Sequence, residues 1–321
     1  MHFNDRDGYM TKRKDKDNRN WKLYNEQLVV RGEFYLDFRF VRNWNKELEA
    51  MNRGKRGGQY RYPDSFIKWE AVWKQWIDYR GLEGVARSLA KLGLIPNYND
   101  YSTIWHRVHS MMPEIKLPTE RELEVASDGS GLKTNNAGEY RIYKYGKKSK
   151  KKKHLVVVIT ADIKHKKLLN VEVHVEGKGK SEPKIAEKHL KKLKKKGVKV
   201  KKFYGDCAFD TNKFFDCLEK SGVESAVKIR KNATTEHCRG SKRRRREIRK
   251  YRNLGYEQWA AEKQYGMRWV ATEGIFSAVK RKFGENIVSK NRSSMRAEAV
   301  QRFWSYDTLR EYGMNKVAGI A

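Results

Sequence analysis

Leu123-Glu124-Val125-Ala126-Ser127-Asp128-Gly129-Ser130-Gly131 is the stretch on which the fold turns. Before Pro118 apolar residues recur at three- and four-residue steps; from Leu123 the period is two, which predicts a strand ending at Asp128. Residues 140–143 read as another strand. Residues 155–159 form a continuous apolar run, and 168–175 follow after a turn at 164–167. Ser181-Glu182-Pro183 then opens a helix carrying Ile185, Ala186, His189, Leu190 and Leu193, closed by Gly197. A strand at 198–204, a helix at 211–221 and a strand at 226–229 come next. A basic insertion at about 231–262 follows, then a helix at about 272–282 begun by Thr272 and Glu273, and a last helix at about 295–312. This order predicts an α/β fold whose sheet has antiparallel and parallel parts.

Towards the N-terminus the pattern is helical. Phe66, Trp69, Val72, Trp73, Trp76 and Ile77 form an aromatic stripe that Gly81 breaks. Leu82, Val85, Leu89 and Leu92 mark a second short helix, ended by Gly93 and Pro96. A third, capped by Asp100 or Ser102, carries Ile104, Trp105, Val108 and Met112 and stops at Pro113. Three short helices with tight turns suggest a helix-turn-helix-like unit in which Thr103, His106, Arg107 and His109 face a DNA groove, with the tryptophans as core. Residues 1–20 read as a polar tail, the aromatic clusters at 21–24 and 34–38 are too short to classify, and 54–58 is a loop. The expected layout is a basic N-terminal stretch at 1–58, a helical DNA-binding domain at 59–118 and a catalytic domain at 119–321.

Composition names the partner class. The 321 residues include 72 Lys+Arg against 39 Asp+Glu, a net charge of +33, which points to a polyanion. No apolar run approaches a membrane span, and Met1-His2-Phe3-Asn4-Asp5-Arg6-Asp7 lacks the apolar core of a signal peptide. Three cysteines without CxxC spacing suit a reducing cytoplasm, and association with the nucleoid is expected there. No zinc spacing, phosphate loop or Ser-His-Asp order stands out.

Chemistry concentrates in the carboxylates. A right-handed crossover places the strand after Gly197 parallel to and beside the strand before Asp128. Asp128 and Asp206 then stand at strand C-termini, where ligands of α/β sheets gather, each beside glycine. One Asp-Gly alone signals only a turn; two at matching strand ends in so basic a chain point to metal-assisted phosphoryl chemistry. A third carboxylate, Glu273, shares a helix face with Ser277 and Lys280. Asp210, Glu285 and Glu262 are reserve ligands.

The segment from Tyr265 to Lys280 resembles the tyrosine–arginine–glutamate–lysine signature of DDE transposases from prokaryotic insertion sequences, with Tyr265, Arg268, Glu273 and Lys280 in the four places. The gap from Arg268 to Glu273 is one residue longer than usual. Arg80-Gly81-Leu82-Glu83-Gly84, Asp128-Gly129-Ser130-Gly131-Leu132-Lys133 and Gly205-Asp206-Cys207-Ala208-Phe209-Asp210 are similar to the insertion-sequence-five group, and the likeness covers about residues 60–312. The resemblance implies a ribonuclease-H-like catalytic fold, two Mg²⁺ or Mn²⁺ ions, and cleavage and strand transfer at terminal inverted repeats. Double-stranded DNA, as transposon ends and target, is the implied partner, met by a homodimer or larger assembly. It implies that Asp128 bridges both metals, with Asp206 and Glu273 holding one each. Arg268 and Lys280 would clamp phosphates, and Tyr265 would stack on a displaced base.

Three basic runs flank this centre: six lysines in residues 147–153 (Lys150 and Lys151 among them), eight in 191–202, and an arginine run at 239–246 that includes Arg243, Arg244 and Arg245. The first and third are expected in loops tracking DNA; the second reads as a solvated helix face. Trp259 and Tyr256 are either a base wedge or the packing of the insertion. Two rival readings are a nuclease of the same fold without strand transfer, and a non-catalytic, domesticated DNA-binding protein.

Overall fold

The computed structural model describes residues 20–111, 114–120, 122–134, 154–177, 179–235 and 240–319. Residues 140–143, Lys150 and Lys151 lie outside them, as do most of the N-terminal tail and the first basic run. The chain divides into two compact units, one of residues 20–36 with 309–319 and one spanning Asp37–Thr308.

In the smaller unit, α1 (Trp21–Glu33) starts at Asn20, whose side chain accepts the Leu23 N–H at 3.0 Å. Phe34 meets Tyr312 edge to face at 5.3 Å, and Glu33 pairs with Lys316. In the second of the short clusters, which the sequence left unclassified, Phe34–Leu36 forms a 3₁₀ turn.

The larger unit opens with α2 (Trp44–Asn52), α3 (Asp64–Trp73), α4 (Tyr79–Lys91) and α5 (Tyr101–Ser110). Trp44, Phe66 and Trp69 are buried against one another, as the aromatic stripe predicts. The stripe does not run on as one helix, however. α3 ends at Trp73, and Asp78 caps α4 by accepting the Gly81 N–H at 2.6 Å, so Gly81 lies within a helix and does not break one. Asp100 caps α5 through the Ser102 and Thr103 N–H groups. Trp76 is half exposed, its ring 5.5 Å from that of Phe283.

A mixed sheet follows. β1 (Glu122–Thr134), β2 (Leu155–Asp162) and β3 (Leu168–Val175) are antiparallel neighbours, while β4 (Lys199–Gly205) and β5 (Glu224–Val227) run parallel to β1, giving the order β3-β2-β1-β4-β5. This is the ribonuclease-H-like arrangement. The pleat sorts β1 residues onto two faces. Leu123 and Val125 join a core with α6 (Glu182–Lys195) and α7 (Asn212–Lys220). Ala126 and Leu132 join one with α9 (Met267–Phe283) and α10 (Arg292–Val317).

Between those helices, α8 (Lys242–Lys263) covers the basic insertion, with a break at Gly255, where φ is +71°. The arginine run expected in a loop therefore starts a helix, capped by Ser241. β6 (Asn286–Ile287) pairs with the far end of β1. Among the described residues no helix is long and apolar enough to cross a membrane.

Candidate active site

β1 is longer than its sequence pattern predicts, and this makes the site. β4 accompanies β1 only as far as Ala126, opposite Tyr204, and β6 pairs with it only at Lys133 and Thr134. Residues 127–132 are paired to β2 alone. Asp128 is therefore not at a strand end, as expected, but in mid-strand, just where the neighbouring strand turns away at Gly205 and Asp206. An open cleft of about 490 Å³ lies there, with Asp128, Glu273, Ser277, Lys280 and Glu285 in its wall.

Asp128 is half-buried and faces α9. Arg268 Nη1 stands 3.8 Å from its Oδ2, Thr272 Oγ1 stands 3.5 Å from the same oxygen, and Oδ1 accepts the Gly129 N–H at 2.9 Å. Burial raises its carboxyl above the usual carboxylate range; Gly129 and Arg268 oppose the shift, and repulsion from Asp206 and Glu273 adds to it. Asp128 thus feels the charge of both other expected carboxylates.

Asp206 follows β4 and turns the chain: its Oδ1 accepts the Ala208 N–H at 2.8 Å. The glycine before it is required by close packing, since a Cβ on Gly205 would fall 2.8 Å from the Phe209 ring. Glu273 is exposed in the middle of α9, which begins at Met267 and not at Thr272 as its sequence suggests. Lys280 lies on the same cleft, 3.8 Å from Glu285, which also pairs with Lys133 at 3.3 Å.

A residue that sequence reasoning missed stands beside the aspartates. Glu182, the first residue of α6, is half-buried, and its carboxyl is raised first by burial and then by Asp206 and Asp128. Its signal was present in Ser181-Glu182-Pro183, but there it marked only a helix start.

Several residues expected to touch DNA serve the fold instead. Tyr265 is 2% exposed and donates its hydroxyl to the Gly205 carbonyl at 3.1 Å, so its ring is covered and cannot stack on a base. Trp259 is 0% exposed, packed between Tyr251 and Tyr265, which settles it as the packing of the insertion. Arg268 is 8% exposed, with its guanidinium 5.0 Å over the Tyr265 ring and facing Asp128; it neutralises a carboxylate where a phosphate clamp was expected. Arg107 binds Asp64 at 2.6 Å and the Tyr62 carbonyl at 3.1 Å, tying α5 to α3. Arg243 donates to the Val223 carbonyl, Arg244 grips buried Asp210 through two nitrogens, and Arg245 donates to the Gly240 carbonyl. Asp210, held by Arg244 and the Arg230 N–H, is thereby removed from the reserve ligands. Glu262 pairs with Lys250. The aromatic left open on α9 is Trp269, 51% exposed and one turn before Glu273.

Among the described residues, no three His, Cys, Asp or Glu side chains are drawn close enough to enclose a metal ion. The donors nevertheless fit a hard divalent cation: they are carboxylate oxygens, without the thiolate or imidazole that zinc favours, and they repel one another. A second cavity, of about 300 Å³ between α5, β3, α6 and α10, contains one carboxylate, Glu114, and does not reach this centre.

Two sequence-family models, both described as Transposase DDE domain, match residues 29–137 and 120–307. No curated protein matches the chain. Among solved structures, a piggyBac transposase synaptic complex with hairpin DNA is similar at 11% identity and a TM-score of 0.31, over 92% of this chain and 80% of that one. The Mos1 strand transfer complex is similar at 10% identity and a TM-score of 0.28, over 83% and 81%. The match at 120–307 covers more than half of the chain and runs from the strand that carries Asp128 past the helix that carries Glu273. On that match, the chain belongs to the DDE transposases.

Proposed function

We propose that Asp128, Asp206 and Glu273 are the catalytic triad of this transposase, cutting at terminal inverted repeats and joining the freed 3′ ends to target DNA. The observation that carries this is that Asp128, at the one stretch of β1 that β4 leaves open, shares a cleft with Glu273 and feels the charge of both Glu273 and Asp206. Family membership implies dependence on a divalent metal; two Mg²⁺ or Mn²⁺ ions are the expected complement. Bound among these carboxylates, such ions supply Lewis-acid activation of the attacking oxygen and neutralise charge on the leaving oxygen.

The rest of the chemistry belongs to the chain. Asp128, central among the three, holds its charge against Arg268, which keeps two of its guanidinium nitrogens free of hydrogen bonds beside it. Lys280, at the cleft wall, offers a cation to a phosphate of the bound strand. Trp269 takes over the stacking role first given to Tyr265, since its ring is open. The helical segment 59–118 is the proposed reader of the repeat, and the insertion-sequence-five group the proposed subgroup. Pairing of two ends calls for a dimer or larger assembly, working on DNA in the nucleoid.

The test uses full-length protein, supercoiled plasmid carrying the element's own ends, and Mg²⁺ or Mn²⁺, beside Asp206→Asn and an EDTA control. Cleavage that needs metal and disappears in the variant, with joined products, is the expected result. Nicking without joined products would replace the transfer reaction by simple nuclease action, and equal cleavage by the variant would remove Asp206 from the centre.

A further inference from the structure

β1 presents its residues alternately to its two faces. Ser127 faces α6, and its hydroxyl bonds Thr160 at 2.7 Å, which in turn bonds His189 Nδ1 at 2.8 Å. Asp128 faces α9. Gly129 faces α6 again, and there the Glu182 carboxylate lies against bare backbone. A Cβ built on Gly129 would fall 2.4 Å from Glu182 Oε1 and 2.7 Å from its Cδ. The missing side chain leaves room for a carboxylate from the opposite face to approach the aspartates.

The placement is built into the fold. Glu182 and His189 are seven residues apart on α6, two turns along one face, so the buried Ser127–Thr160–His189 chain holds the helix along β1 and holds Glu182 beside Gly129. Among the described residues no cation or hydrogen-bond donor is seen on the Glu182 carboxylate, whereas buried Asp210 has Arg244 and buried Asp162 has His165. What Glu182 does feel is the charge of Asp206 and Asp128. A half-buried carboxylate set against two others lacks the counter-charge that a divalent cation brings.

We propose that Glu182 is a fourth carboxylate ligand of the metal centre, joining Asp128 and Asp206 on the same divalent ion. This rests on the assignment of Asp128 and Asp206 given above. It gives Gly129 a reason of its own, as the gap through which the fourth ligand reaches the ion.

Calorimetric titration of the full-length protein with Mn²⁺ alone, without DNA, tests it. Glu182→Gln is expected to weaken Mn²⁺ binding by about tenfold or more. Gly129→Ala is expected to do the same while keeping the carboxylate, because the new Cβ pushes aside only the end of the Glu182 side chain. Thermal unfolding in EDTA guards against a folding defect. Glu182→Gln removes a like charge, so it should unfold at the wild-type temperature or above, and Mn²⁺ should raise its unfolding temperature less than that of the wild type. Wild-type Mn²⁺ affinity in both variants, with binding lost in Asp206→Asn, would overturn the role of Glu182 and leave the centre standing. A Glu182→Gln protein destabilised in EDTA would also overturn it, marking Glu182 as a prop of α6. Unchanged binding in Asp206→Asn would instead bring down the carboxylate centre itself.

Discussion

Tyr265 and Arg268 show how far a signature can be read from residue types alone. Both stand at their expected positions, four and one residues from the exposed Trp269, yet both turn inwards. The Tyr265 hydroxyl bonds the carbonyl of Gly205, the residue before Asp206, so the tyrosine supports the turn that presents that carboxylate. Tyr265→Phe should therefore lower stability by about 0.5–1.5 kcal/mol, the net worth of one hydrogen bond, since the Gly205 carbonyl keeps the Lys228 N–H. Affinity for a DNA end, followed by fluorescence anisotropy, should stay within about twofold of wild type. Weaker DNA binding at unchanged unfolding temperature would restore the stacking role that burial now excludes. The place of Asp206 just after a strand was legible, because apolar patterning names the strand and glycine its end; the strand carrying Asp128 was legible too, but not its continuation to Thr134, because Gly129 and Gly131 signal a turn where the chain runs on beside β2. The covering of Tyr265 was not legible, because it depends on the end of β4 about sixty residues earlier in the chain.

Helix α6 carries the lesson at the scale of an element. Its start at Ser181 and its buried face were readable from the sequence, but His189 looked like one more residue on an apolar stripe. In the fold, burial lowers its imidazole to about 4, helped by Lys188 and Lys192 and opposed by Glu172. The folded state therefore keeps His189 neutral where the unfolded chain, with a value near 6.5, takes up a proton. The unfolded state binds more protons between about pH 6.5 and 4, so stability falls as pH falls through that window, by up to about 3 kcal/mol. Urea unfolding of wild type and His189→Gln at several pH values isolates this term as the difference between the two slopes. The difference should be near zero above pH 7 and grow below 6.5; parallel curves throughout would show that His189 titrates normally. α8 and α9 teach the complementary point. The arginine run joined a helix, and α9 began five residues before Thr272, because tertiary neighbours extended helices where local signals were weak.

The charge of +33 is a property of the whole molecule, and the fold divides its work. Arg244 is committed to buried Asp210 and Arg107 to Asp64, while Lys191 and Lys194 on α6 stand exposed. Affinity for double-stranded DNA should fall by about 10³-fold or more between roughly 50 and 200 mM salt, as expected for six or more phosphate contacts. Arg244→Gln should leave that salt slope unchanged and destabilise the fold by about 3 kcal/mol or more, since Asp210 is left buried without its counter-charge. A shallower slope in the variant at unchanged unfolding temperature would return Arg244 to the DNA interface.

By itself the sequence determined the α/β order, the aromatic helical segment before it, the polyanionic partner and the family, since periodicity, charge and ordered motifs are local or additive properties. Only the tertiary structure decided which side chains the site exposes. It carried β1 past Asp128 where β4 stops, buried Tyr265, Trp259 and Arg268, and brought Glu182 to Gly129 from fifty-three positions away. These outcomes depend on which strand ends where and which helix covers which face. Such pairings arise between segments far apart in the chain, and no window of sequence contains them.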